Sequence, residues 1–181
     1  MSEQQSQRPT IAGETAVGFV SPAMYFPVSL LKLAVMSTCT FGFYELYWFY
    51  KNWCIVRDRE EPHIMPFWRA FFAPIFCYSL LKRVQVTAEA QRIQRSIAAG
   101  PLAAGWFVFT ILARLPDPYW LATFLAVALL LPVQAAVNEI NLVASPKHDP
   151  NSRFTSWNIV GVVVGGLFLA LVLVGTFLPP K

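Results

Sequence analysis

From Trp157 to Leu178 the chain carries no charged residue. As an α-helix this run is about 33 Å long, enough to cross the roughly 30 Å of hydrocarbon in a bilayer. Composition says the same of the whole chain. Hydrophobic residues make up 56% of its 181 residues and charged residues only 13%, about half the share with which a soluble domain covers its surface. Such a balance excludes a disordered chain, a basic nucleic-acid module and an ordinary soluble enzyme.

The pattern predicts an all-α integral membrane protein with four transmembrane helices at about 28–50, 98–115, 119–142 and 157–178. An interfacial or re-entrant helix is expected at about 66–81 and a cytoplasmic amphipathic helix at about 82–97. Together they form one membrane domain, 27–178, behind a polar tail, 1–26. The tail lacks the basic start and short apolar core of a cleaved signal and is expected to be retained and poorly ordered.

Local signals set these boundaries. The first span ends in aromatic residues, Tyr44, Tyr47, Trp48, Phe49, Tyr50 and Trp53, of the kind that form interfacial belts, and then in Lys51 and Asn52. Residues 67–81 are apolar apart from Arg69 and are interrupted by Pro74. Fifteen helical residues reach only about 22 Å, too short for an easy crossing, so Arg69 is expected to snorkel from an interfacial or re-entrant helix; a fifth span is the alternative. Val86, Ala90, Ile93 and Ile97 form a narrow stripe on the following helix. Pro116-Asp117-Pro118 breaks the chain between the second and third spans. The third contains Pro132, which a spanning helix tolerates when neighbours satisfy the freed carbonyl.

Eight Lys and Arg residues lie between 51 and 97 and two between 144 and 156, ten of the 14 in the chain. The positive-inside rule therefore puts both loops in the cytoplasm and, with four spans, the N-terminus outside. Arg69, Lys82, Arg83, Arg92 and Arg95 are candidate contacts for anionic lipids of the inner leaflet.

The costly residues are polar groups at membrane depth. Glu45 lies about 9 Å along a helix from Lys51. It is expected to face the bundle interior near Gln134, Asn138 or Asn158, either as a structural hydrogen-bond acceptor or as a proton or cation site. Gln134, Asn138 and Asn141 share one helical face, with Asn158 at a similar depth. Such amides either bond helices together or line a polar route. Gly161, Gly165 and Gly166 form a candidate face for close helix packing, within the chain or against another chain.

Catalytic signals are lacking. His63 and His148 lie in loops outside any metal-ligand pattern, Cys54, His63 and Met65 have no diagnostic spacing, and no nucleophile motif or phosphate-binding glycine loop occurs. Cys39, Cys54 and Cys77 make no C-x-x-C pair, and Cys39 and Cys77 read as small buried hydrophobes. No enzyme, cofactor, metal or nucleic-acid partner is expected.

The run Phe41–Trp53 (FGFYELYWFYKNW), the segment Pro66–Phe72 (PFWRAFF) and the segment Asn151–Asn158 (NSRFTSWN) resemble a group of small bacterial inner-membrane proteins of unassigned function. The resemblance covers most of the chain after residue 25 and implies a bacterial inner membrane, with no site residue carried over. The functional expectation is a non-catalytic membrane interaction protein, an accessory or assembly subunit of a larger complex. The alternatives are a small oligomeric transporter or channel using Glu45 and the amide face, and a lipid-modifying enzyme.

Overall fold

A computed structural model describes residues 22–178. It is all-helical, with no strand among those residues. The α-helices are α1 (Leu30–Cys39), α2 (Phe43–Arg59), α3 (Pro66–Phe71), α4 (Ala73–Ala90), α5 (Ala99–Ile111), α6 (Ala126–Ala144) and α7 (Ser156–Phe177). Two 3-10 segments, Leu112–Arg114 and Tyr119–Leu125, join α5 to α6.

Two helices are long and apolar enough to cross a membrane, Tyr119–Ala144 and Ser156–Phe177; four are not supported. The expected first span, 28–50, is broken. The N–H of Gly42 donates to Ser37 O at 2.9 Å and that of Phe41 to Thr38 O at 3.3 Å, the paired bonds of a Schellman stop. Phe41 occupies the left-handed position (φ 52°) that glycine usually fills, and Gly42 follows at φ 84°. Phenylalanine holds the strained position because its ring packs at 5.4 Å from Phe168 and 5.9 Å from Phe124.

The result is a helical hairpin. Near one end Tyr25 lies under the Arg59 guanidinium, and Arg59 also donates to Met24 O, so both arms of α1–α2 start and finish together. The apex at Phe41–Gly42 lies about 21 Å or more from that end, judged from the 14 residue steps from Glu45 to Arg59. The tail expected at 1–26 is also revised. Residues 1–21 lie outside the described chain, whereas Tyr25 and Phe26 are core residues.

A second hairpin lies beside the first. α3 descends along α2, with Arg69 over the Trp53 ring at 4.5 Å. α4 returns until Arg83 pairs with Glu60 and Glu61 and the Tyr25 hydroxyl meets Thr87 Oγ1 at 2.9 Å. Pro74 does not interrupt this helix; it sits in the first turn of α4, where the missing N–H had no helical partner anyway. The expected boundary at 81/82 does not exist. α4 stops at Ala90 because Arg92 turns left-handed (φ 55°), with Ile93 N bonded to Ala88 O at 2.9 Å. Its buried face is Cys77, Leu80, Leu81, Val84 and Ala88 rather than the Val86 stripe, since Val86 is exposed.

α5 leaves this end, and its 3-10 extension carries it to Arg114, short of the apolar length of a full span. The expected third span begins as 3-10 helix, becomes α-helical at Ala126 and contains Pro132. α7 begins with a capping box between Thr155 and Asn158 and buries none of its residues. It packs on α1, where a Cβ built on Gly165 would lie 2.0 Å from Cys39 O. Gly161 faces the Met36 methyl more loosely, at 3.8 Å, and Gly166 meets nothing within 4 Å. The packing face is therefore Gly161 and Gly165, without Gly166.

Gly165→Ala is expected to lower stability by about 1–3 kcal/mol, because the α1 backbone must move. Gly166→Ala should stay within about 0.5 kcal/mol of the parent. Thermal unfolding of the two variants in one detergent measures the difference.

Candidate functional site

The polar residues of the core form two groups. The first clamps an extended backbone. Residues Pro22–Ser29 have no helical or strand partner, yet Tyr25, Phe26 and Val28 are buried. A buried backbone amide left unpaired costs about 1–3 kcal/mol, so each needs a partner. Asn141 takes both groups of Tyr25: Oδ1 accepts from its N–H at 3.1 Å and Nδ2 donates to its carbonyl at 2.9 Å. The Phe26 N–H goes to Asn52 Oδ1 at 3.0 Å and its carbonyl accepts from Gln134 at 3.3 Å. Asn138 donates to Val28 O at 2.9 Å, Asn151 to Pro27 O at 3.1 Å and Ser145 to Pro22 O at 2.8 Å. Gln134 also donates to Asn138 Oδ1 at 2.8 Å and accepts from Trp48 Nε1 at 2.5 Å.

The amides of the expected face do lie together on α6, and one of them, Gln134, bonds helix to helix through Trp48 of α2. The amides are otherwise consumed by a strand-like segment inserted between α2 and α6. Asn158 does not join them; its side chain accepts from the Thr155 N–H at 3.1 Å in the cap of α7.

The second group surrounds Glu45, which is 7% exposed. Its carboxylate Oε2 accepts from Trp106 Nε1 at 2.7 Å. No hydrogen bond joins it to Gln134, Asn138 or Asn158 among the described residues, and this corrects the expected pairing. The physical reason is the hairpin. Glu45 lies in the first turn of α2, at the apex, whereas Trp48 and Asn52 further along the helix take the amides. Lys51 does not mark the end of α2 either; the helix runs on to Arg59.

Glu45 lines a cavity of about 400 Å³ together with Ser37, Phe41, Phe71, Trp106, Phe124 and neighbouring residues. Residues from both hairpin apices, α5, the second 3-10 segment and the start of α6 meet there. Ser37 is buried, and its Oγ has no hydrogen-bond partner among the described residues.

At the opposite end the charges pair among themselves. Arg83 binds Glu60 and Glu61, and its guanidinium holds the Glu61 carboxyl below the ordinary carboxylate value. Arg95 Nε lies 2.9 Å from Glu139, and Arg69 is spent on Trp53 and Phe76. Of the five candidate lipid contacts, Lys82 and Arg92 are exposed and make no ion pair among the described residues. Sequence reasoning missed Lys32, which is 2% exposed and donates to Asn151 Oδ1 and Arg153 O, both at 2.8 Å. A lysine in an apolar run was the available signal. It also missed Asn52 and Trp106, whose roles depend on neighbours distant in sequence.

No protein-family model, curated protein or solved structure matches the chain. Among the described residues no group of three or more His, Cys, Asp or Glu side chains is placed to hold a metal ion.

Asn141→Leu is expected to cost about 2–5 kcal/mol, because it strands both the N–H and the carbonyl of Tyr25. Asn158→Ala, at a helix cap, should cost about 0.5–2 kcal/mol. Denaturant melts of the two variants in mixed micelles give the comparison.

Proposed function

We propose that the chain is a non-catalytic integral protein of a bacterial inner membrane and serves as an interaction subunit of a larger membrane complex. The observation that carries this reading is α7. It is apolar over its whole circumference and, apart from the face that packs on α1, is left uncovered by the described residues, so its outer surface needs lipid or another helix. The polar groups that a transporter would use support the same reading, because the amide face is saturated by its own backbone. Of the expected polar set, Glu45 lines the cavity at the hairpin apices.

The topology that follows differs from the four-span expectation. Residues 22–29, the end of α2, the end of α4 and the 145–155 loop share one end, and that end holds most of the basic residues. The positive-inside rule makes it cytoplasmic. The α1–α2 and α3–α4 hairpins are re-entrant from this side. The apolar helix Ala99–Arg114, the Tyr119–Ala144 segment and α7 make the crossings. Residue 22 is then inside, and the end of α7 outside.

Cysteine labelling with an impermeant maleimide in intact spheroplasts tests this arrangement, in a background with native cysteines replaced. Asp117→Cys should label, while Ala23→Cys, Asp58→Cys and Asp149→Cys should label only after lysis. Labelling of Ala23→Cys in intact cells would restore a full first span.

The subunit role has its own test. Native mass spectrometry from mild detergent should show the chain in fixed stoichiometry with a different membrane protein. Gly166→Leu, on the open side of α7, should release it without lowering thermal stability. A monomer or homo-oligomer unaffected by Gly166→Leu would overturn the reading.

A further inference from the structure

The cavity at the two hairpin apices has properties that the packing around it does not use. Its volume of about 400 Å³ is that of a small-molecule site. Phe41, Leu46, Phe71, Trp120, Phe124 and Val127 supply apolar and aromatic wall. One charged group in it is incompletely bonded: Glu45 accepts one hydrogen bond, from Trp106 to Oε2, and its carboxylate takes no other among the described residues.

The lining selects by charge. It contains one carboxylate and no Lys, Arg or His, so an anion meets repulsion. A purely apolar guest leaves Glu45 with its single hydrogen bond. A cation gains twice, from the carboxylate and from the negative faces of the aromatic rings. We propose that this cavity binds a lipophilic amine in its protonated form. The ammonium N–H groups donate to the Glu45 carboxylate, and the apolar body lies against the rings of Phe41, Phe71 and Phe124. The site stands independently of the partner-subunit reading, since it uses neither the outer face of α7 nor the basic end.

Calorimetric titration of the full chain in mild detergent tests it with two probes that differ only in head group, 4-phenylbutylamine and 4-phenylbutan-1-ol. The amine should bind at one saturable site, and the alcohol about tenfold more weakly or worse. Glu45→Gln should weaken the amine by about tenfold and change the alcohol by less than about twofold. Ala113→Trp places bulk at an exposed position of the lining, where folding is not at stake, and should weaken both probes. Equal binding of amine and alcohol, or amine binding unchanged in Ala113→Trp, would overturn the proposal. So would a folded Glu45→Gln protein that retains parental amine affinity. If Glu45→Gln does not fold, the head-group ratio and the Ala113→Trp result decide the matter.

Discussion

The segment Pro22–Ser29 has no regular secondary structure, yet it buries Tyr25, Phe26 and Val28, and polar side chains satisfy its backbone. That exchange organises the fold. Asn141, Asn138 and Gln134 stand on successive turns of α6, so one helix face supplies side-chain partners to the backbone of Tyr25, Val28 and Phe26. Asn52 completes the clamp from α2. Once the segment is fixed, α1 must start where α2 ends, and the two helices can only form a hairpin.

The hairpin in turn decides what the apex end of the molecule contains. A Schellman stop with Phe41 in the left-handed position reverses the chain, and the Phe41 ring ties the apex to α7 and to the second 3-10 segment. Gly165 lets α7 approach the last turn of α1 at backbone contact. α3 and α4 repeat the reversal beside them. The two apices are not filled by their own side chains, and the cavity beside Glu45 is the space left between them.

Polarity is divided between the two ends by the same architecture. Charges at the end shared by residues 22–29 and the 145–155 loop are paired or exposed, and Lys32 is drawn into that loop by Asn151 and the Arg153 carbonyl. The cavity at the hairpin apices is lined by a single acid, Glu45, with one indole donor. A buried carboxylate so sparsely solvated is costly to fold around, which gives the Glu45 cavity its significance as a ligand site, whereas the saturated amides of α6 belong to the structure.

The sequence by itself determined the helical class, the apolar character of α7 and the third-span helix, and the residues too polar for their surroundings. Those properties follow from composition and from periodicity along one helix. Gln134, Asn138 and Asn141 could be placed on one face because a helix repeats every 3.6 residues. What they bond could not be read, since their partners lie more than 100 residues away along the chain, in a segment with no periodicity of its own. Continuity misled in a similar way. Val28–Tyr50 is apolar enough to look like one span, because hydropathy does not register a reversal made by two φ angles. Tertiary structure alone decided that Glu45 meets Trp106 rather than an amide, that Gly165 and not Gly166 touches another helix, and that both ends of the first hairpin lie together. Each of these is a matter of distance between elements, fixed by packing and by the need to pair every buried backbone group.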